Sequence, residues 1–228
     1  MGVQSELIPA NESERLAALR RFDVLDTPRD GAFDRITRLA SEILEMPISI
    51  VSLVDYDRIW FKSTHGLDGV EEIDRVPGLC ASAILGDEIW VIEDAQVDPR
   101  ALANPLVAGE FGLRFYAGSP LRTQEGYNLG TLCVIDKRPR TLTEEQTRVL
   151  DDLAALVVDE LELRLAARRQ ARRATELNDD VVQALVVAKM NLQLDEREPA
   201  LASLDQALES SKRILAELVE DAPNLRRG

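Results

Sequence analysis

The longest helical signal in the chain lies between Pro139 and Pro199. No proline or glycine occurs from residue 140 to residue 198, and these two residue types most often end a helix. Thr143 stands before an acidic first turn, which is typical of a helix N-terminus. Apolar residues then follow at helical spacing: Leu150, Leu153, Val157 and Leu161. The stretch predicts one long helix that leaves a folded domain and continues beyond it.

The end of the chain predicts a helical hairpin. Two apolar seams at near-heptad spacing flank a polar connection at 195–198, and Pro199 suits the first turn of a second helix. The predicted seam residues are Val181, Leu185, Ala188 and Leu192 in the first helix and Leu204, Leu208 and Leu215 in the second. One hairpin alone cannot bury this apolar surface, whereas two can do so in a four-helix bundle. We therefore expect a homodimer.

The middle of the chain, from Ile48 to Asp136, has strand patterns instead. Apolar runs separated by turn residues predict five strands, in the segments ISIVSLVD, RIWFKSTH, EIWVIED, RFYAGSPLRT and NLGTLCVID. Helical patterns at 12–22 and from about residue 30 to residue 46 precede them. Hairpin-connected strands with helices at both ends predict an antiparallel sheet in an α+β domain.

Composition disfavours several classes of function. Among 228 residues, 27 are Lys or Arg and 41 are Asp or Glu, a net charge of -14, which opposes nucleic acids and anionic membranes. Cys80, Cys133 and His65 are too few for a disulfide framework, a multi-cysteine zinc site or a two-histidine mechanism. The longest apolar run is too short to span a bilayer, and the N-terminus does not resemble an export signal. We expect a cytoplasmic protein without a metal, a cofactor, a nucleic-acid partner or a membrane contact.

Residues 26–162 resemble a GAF domain. The resemblance is carried by ISIVSLVDYDRIWFKSTHGL, LCASAILGDEIWVIEDAQVDPRALANPLV and LRFYAGSPLRTQEGYNLGTLCVID. It implies an antiparallel sheet with helices on one face and a ligand pocket under loops on the other, in a domain that senses a small molecule or dimerises. The candidate pocket residues are Trp60, Cys80, Asp94, Arg114 and Tyr116.

The better-defined ligand classes of this family are disfavoured. Cyclic-nucleotide-binding members carry an Asn-Lys motif that does not occur here, and bilin-binding members often place a His directly after the chromophore Cys, where this chain has Ala81. Haem-binding members need a proximal His, and only His65 is present. The ligand of the predicted pocket therefore stays unidentified.

Residues 172–220 resemble the dimerisation and phosphoacceptor segment of sensor histidine kinases. In one group of these kinases the phosphoacceptor lies in Glu-Leu-His-Asp, and the stretch here is Glu176-Leu177-Asn178-Asp179. Asn178 stands in the His place, and an amide nitrogen is a negligible nucleophile because its lone pair is delocalised. We therefore expect a signalling sensor or adaptor that is not an enzyme, with an N-terminal helix at 1–25, the GAF domain at 26–162, a connecting helix at 163–175 and a degenerate dimerisation hairpin at 176–222.

Asp179 and Gln183 keep a spacing that, in kinases of that group, supports dephosphorylation of a receiver domain. The two side chains lie one helical turn apart and share a face. We expect the hairpin to dock a receiver domain or a partner kinase. Three alternatives stay open: a receiver phosphatase that uses Gln183, a GAF-type thiol reductase that uses Cys80, and a structural dimerisation adaptor with a collapsed pocket. Asn178 in a helical seam is also compatible with a purely structural role in fixing the register.

Overall fold

Six strands form one antiparallel sheet in the order β3-β2-β1-β6-β5-β4. The computed structural model describes residues 8–102 and 104–220, with side chains except at positions 174, 176–178, 215 and 217–220. The strands are β1 (Ile48–Val54), β2 (Arg58–His65), β3 (Glu72–Asp74), β4 (Trp90–Ile92), β5 (Phe115–Arg122) and β6 (Asn128–Asp136). The helices are α1 (Glu12–Arg21), α2 (Gly31–Leu44), α3 (Leu79–Ala83), α4 (Pro105–Ala108), α5 (Glu144–Gln193) and α6 (Arg197–Glu220). The α+β fold class is confirmed.

The chain divides into two compact units, residues 1–165 and 166–228. In the first unit, α1, α2 and the first part of α5 pack on one face of the sheet, while α3, α4 and their loops cover the other face. Every residue of β1 and β6 is buried. Their sequences are mostly apolar because both faces of the sheet are covered.

The sequence-based prediction missed one strand. The sheet has six strands instead of five, and the additional one is β3, which pairs with β2 at the edge of the sheet. Its sequence, Glu-Ile-Asp, is only partly buried and carries no periodic signal. β3 forms because it can pair with the free edge of β2. Such a tertiary contact leaves no pattern in the sequence of a three-residue segment.

The long helix is confirmed as α5, fifty residues from Glu144 to Gln193. A capping box starts it: the backbone N–H of Gln146 donates to Thr143 Oγ1 at 3.1 Å, and the backbone N–H of Thr143 donates to Gln146 Oε1 at 3.0 Å. Within the described residues, none of the helices has both the length and the apolar character that crossing a membrane requires.

The second unit contains the helical hairpin. Small side chains are buried in it, namely Ala184, Ala188, Ala200, Ala207 and Ser210. Of the predicted seam residues, only Ala188 is buried, while Val181 is half-buried. Leu185, Leu192, Leu204 and Leu208 are exposed, and the side chain of Leu215 lies outside the described residues. A single hairpin thus buries Ala188 of the predicted seam and leaves the leucine side chains exposed to solvent.

Candidate functional site

An apolar cavity of about 170 Å³ lies on the sheet face opposite to α1, α2 and α5. The strands β1, β5 and β6 contribute Ile50, Tyr116 and Cys133 to its wall, and α3 contributes Leu79 and Cys80. The other lining side chains, all apolar, come from β2, β3, β6, α4 and the loops: Phe61, Leu67, Val70, Ile73, Leu106, Phe111, Leu113 and Ile135. Apart from two thiols and one phenol, the lining offers only carbon surface, so the cavity suits a small apolar molecule.

Strand alternation decides which residues reach this cavity. Along β5, Tyr116 faces the cavity side, whereas Phe115 and Ala117 belong to the core under α5. Along β6, Cys133 faces the cavity side and Val134 the opposite core. Successive side chains of a strand point to opposite faces of a sheet. The same two strands therefore contact the cavity and the helical layer.

Gly118 makes room for the tyrosine of the cavity wall. A Cβ at Gly118 would collide with the ring and hydroxyl of Tyr116, two residues earlier on the same strand face. The Tyr116 ring lies edge-on to Trp90, with ring centroids 5.6 Å apart. Its hydroxyl lies 3.5 Å from Thr131 Oγ1 on β6. The missing side chain thus lets Tyr116 lie across the sheet.

Cys80 and Cys133 meet at the wall of the cavity. Both thiols are free and buried. A hydrogen bond from the Cys133 thiol is the main cause that lowers the pKa of Cys80 to about 6, against burial, and the hydroxyls of Ser52, Thr131 and Tyr116 act in the same direction. That hydrogen bond, together with burial, raises the pKa of Cys133. Burial is the main cause that raises the pKa of Tyr116. Cys80 is therefore the thiol that ionises first.

The five predicted pocket residues lie in three places. Cys80 and Tyr116 line the cavity. Trp60 lies on the other side of the sheet, in the core with α2 and α5, and its ring is 5.7 Å from Lys62 Nζ. Asp94 and Arg114 form a bidentate ion pair outside the cavity lining, with N–O distances of 2.8 and 2.7 Å.

Trp60, Asp94 and Arg114 therefore do not have the expected role of lining the cavity. Arg114 pairs with a carboxylate of the chain itself, and its hydrogen bonds lower the pKa of Asp94, so neither residue is directed at a ligand in the cavity. Sequence reasoning missed most of the apolar lining residues, including Leu79 and Phe111. They carry no signal that separates a cavity wall from a filled core.

A polar cluster attaches α5 to the start of α2. Asp30 caps α2 by accepting a hydrogen bond from the Ala32 N–H at 2.9 Å. Its Oδ1 also lies 2.6 Å from a guanidinium nitrogen of Arg164. The same guanidinium pairs with Glu160 at 2.6 Å and stacks 4.7 Å from the centre of the Phe33 ring. The hydrogen bond from Arg164 is the main cause that lowers the pKa of Asp30 to about 2.

Comparison with known proteins identifies the class of this domain. The GAF domain model matches residues 28–161, and the chain belongs to the GAF domain family. It therefore contains a domain of the sensor and signal-transduction type. The resemblance drawn from the sequence is confirmed for this part of the chain.

A curated relative is the cyclic di-GMP phosphodiesterase of Pseudomonas aeruginosa strain PAO1, 41% identical over 151 residues. The match covers 66% of this chain and 26% of the relative, so the chain spans about a quarter of that protein's length. The expectation that the chain is not an enzyme is wrong by this comparison, because the relative that it matches is named as an enzyme.

Solved structures show the same fold. The GAF domain of a phosphoenolpyruvate-protein phosphotransferase from Coxiella burnetii aligns with a TM-score of 0.50 at 21% identity, over 72% of this chain and 99% of that one. The GAF domain of the corresponding Acinetobacter protein aligns with a TM-score of 0.50 at 17% identity, over 70% of this chain and 97% of that one. At these identities the likeness concerns the fold alone.

Proposed function

We propose that the chain is the sensing part of a signalling protein. Its GAF cavity binds a small apolar ligand, and its hairpin self-associates and presents a docking surface for a receiver domain or a partner kinase. The observation that carries this proposal is the apolar cavity under α3 and α4. An apolar cavity of ~150 Å³ can stay dry and take up a molecule of the size of benzene, and the volume here is about 170 Å³.

The sheet offers a direct route from the cavity to α5. β5 and β6 contribute Tyr116 and Cys133 to the cavity and Phe115 and Val134 to the core that contains α5. Ser119 Oγ on β5 also donates a hydrogen bond to Asp151 on α5, at 2.8 Å. A ligand that shifts these strands acts on the packing of α5, since close-packed layers transmit small displacements.

The hairpin supports self-association. Its buried side chains are mainly alanines, which bury little apolar area. By contrast, large apolar side chains remain about half exposed: Val182, Leu185, Val186, Val187, Met190, Leu192, Leu201, Leu204 and Leu208. A second copy of the hairpin covers such a surface in a four-helix bundle. This is the homodimer expected from the sequence.

Asp179 and Gln183 support the docking part of the proposal. Both side chains are exposed on α5, one helical turn apart, so a receiver domain can reach both at once. The side chain of Asn178 lies outside the described residues. A receiver docked here presents its aspartyl phosphate to the amide of Gln183, so substitution Gln183→Ala tests docking and phosphate lifetime together.

The phosphodiesterase relative fits the same scheme. It aligns with this chain over 151 residues at 41% identity, which is only 26% of its own length, and GAF domains are sensor modules. We propose that the shared part has the sensing role in both proteins. The output of this chain is then the control of a signalling activity through the hairpin.

The test is binding of a small apolar probe to the full chain. Toluene should raise the melting temperature of the wild type, because a ligand that binds only the folded state stabilises it by mass action. Leu79→Phe, which fills the cavity, should abolish the response, and the volume-matched Leu79→Met should keep it. An equal response in both variants would place toluene outside the cavity and overturn the proposal.

A further inference from the structure

The two cysteines of the chain line the same cavity, although they are far apart in sequence. Cys80 comes from the first turn of α3, and Cys133 comes from the middle of β6. Cys80 is 6% exposed and Cys133 is fully buried. Both residues belong to the same buried apolar cluster, and each thiol shifts the pKa of the other. They are thus a pair in space, and both are accessible to a molecule that enters the cavity.

Three hydroxyl groups surround this pair. Ser52 on β1 and Thr131 on β6 are fully buried, and their hydroxyl oxygens lie 2.9 Å apart. The Tyr116 hydroxyl lies 3.5 Å from the Thr131 hydroxyl. All three hydroxyls act to lower the pKa of Cys80. Hydroxyl groups can donate to a thiolate, whereas a cysteine that serves only as a packing residue needs no such donors.

We propose that Cys80 and Cys133 are an oxidisable thiol pair that reacts with a small apolar hydroperoxide to form a disulfide at the cavity wall. The apolar lining selects for an organic hydroperoxide, because such a molecule buries its hydrocarbon part while its peroxide group meets the thiols. The thiol pair lies in the same cavity as the proposed ligand site, but its reaction does not depend on the self-association of the hairpin.

The reaction balances in two steps. The Cys80 thiolate sulfur attacks the terminal peroxide oxygen and the O–O bond breaks. The alkoxide leaves, takes up a proton and becomes an alcohol, while Cys80 becomes a sulfenic acid. The Cys133 sulfur then attacks the Cys80 sulfur, the S–O bond breaks, and the hydroxide leaves as water with the Cys133 proton. Overall, two thiols are oxidised to one disulfide and one hydroperoxide is reduced to an alcohol and water.

The positions of the two cysteines assign their roles. Cys80 has the lower pKa and the larger exposure, and the thiolate is the reactive form of a cysteine. Cys133 lies within the central strand β6, in the same cavity wall as Cys80, but is closed to the surface. The disulfide links α3 to β6, and the next residue on β6, Val134, packs in the core that contains α5.

The experiment treats the full, folded chain with tert-butyl hydroperoxide and follows its intact mass. The wild type should lose two hydrogen masses and both alkylatable thiols, and peptide mapping should show an intramolecular Cys80–Cys133 link. Cys133→Ser should stop at the sulfenic acid, which dimedone traps on Cys80. Cys80→Ser should leave Cys133 reduced. Two thiols that remain alkylatable after unfolding, or links only between chains, would overturn the proposal.

A matched variant keeps both thiols and tests the cluster around them. Ser52→Ala removes one hydroxyl donor to Cys80, so disulfide formation should slow and its pH profile should move upward. The titratable groups that act on the pKa of Cys80 are Cys133 on β6 and Tyr116 on β5. A rate and pH profile equal to those of the wild type would contradict the role given to the cluster. Toluene binding by Cys133→Ser would show that the cavity works as a ligand site even if oxidation fails.

Discussion

At the residue scale, the carboxylate of Asp30 has two structural roles. It caps α2 and also holds Arg164 of α5. Its pKa falls from 3.8 to about 2, mainly through the Arg164 hydrogen bond. A carboxyl group whose pKa is lower in the folded state stabilises the fold above its unfolded pKa, and that stabilisation disappears as the pH falls through the folded value.

Asp30→Asn should therefore lower the free energy of unfolding at pH 7 by on the order of 1 kcal/mol, since the carboxylate is partly open to solvent. The difference from the wild type should shrink between about pH 4 and about pH 2, where the wild-type carboxyl takes up its proton. Urea unfolding across this range measures it. Asp68→Asn, at an exposed position, is the control. A difference that does not vary with pH would refute the charge-based explanation.

Gly118 determines how the cavity wall is built. Gly118→Ala should cost about 1–3 kcal/mol of stability, because the new Cβ collides with Tyr116 and forces the ring to move. Gly86→Ala is the matched control, since no atom lies within 4 Å of the added Cβ, and it should change stability by less than about 0.5 kcal/mol. Chemical denaturation compares the two. Equal stabilities would mean that Tyr116 does not need the space above Gly118.

At the element scale, α1 is held on the sheet by a buried arginine. Arg15 is 1% exposed; it pairs with Glu12 at 2.7 Å and donates to the Val54 carbonyl at 2.8 Å. Glu12 also accepts from Arg75. Partial burial acts to raise the pKa of Glu12, but hydrogen bonds from Arg15 and Arg75 outweigh it and lower the pKa. α1 lies outside the matched family region, yet its apolar face belongs to the core.

Arg15→Ala should destabilise the first unit by about 3 kcal/mol, because it removes one partner of a buried ion pair and leaves the Val54 carbonyl without this donor. The free energy of unfolding from urea titration gives the measure. Arg20→Ala, an exposed position on the same helix, should change stability by less than about 0.5 kcal/mol. Similar losses in both variants would point to helix propensity and not to the buried ion pair.

At the scale of the whole molecule, the two units have different sources of stability. The first unit encloses two apolar cores, one on each face of the sheet. The hairpin buries mainly alanines and leaves its leucines exposed. We therefore expect the hairpin to depend on a second copy and the GAF unit to fold by itself.

Leu185→Ser combined with Leu204→Ser should convert a dimer into a monomer, because both leucines are exposed on the hairpin and serine removes their apolar surface. Native mass spectrometry and sedimentation equilibrium measure the change. Leu163→Ser, at a leucine that is 66% exposed in the first unit, should leave the dimer intact. If the wild type is already a monomer at micromolar concentration, the self-association of the hairpin is refuted.

The sequence by itself determined the elements with strong local signals. α5 is predicted by the stretch without proline or glycine and by the capping residue Thr143. The central strands are predicted by their apolar runs. Both kinds of signal act between residues that are close in the chain. The family resemblance predicted the sheet with one helical face and a pocket face. Only the tertiary structure decided that Trp60 lies opposite the cavity, that Arg114 pairs with Asp94, and that Cys80 meets Cys133. These outcomes depend on cross-strand register and on contacts between segments distant in sequence, which no local pattern records.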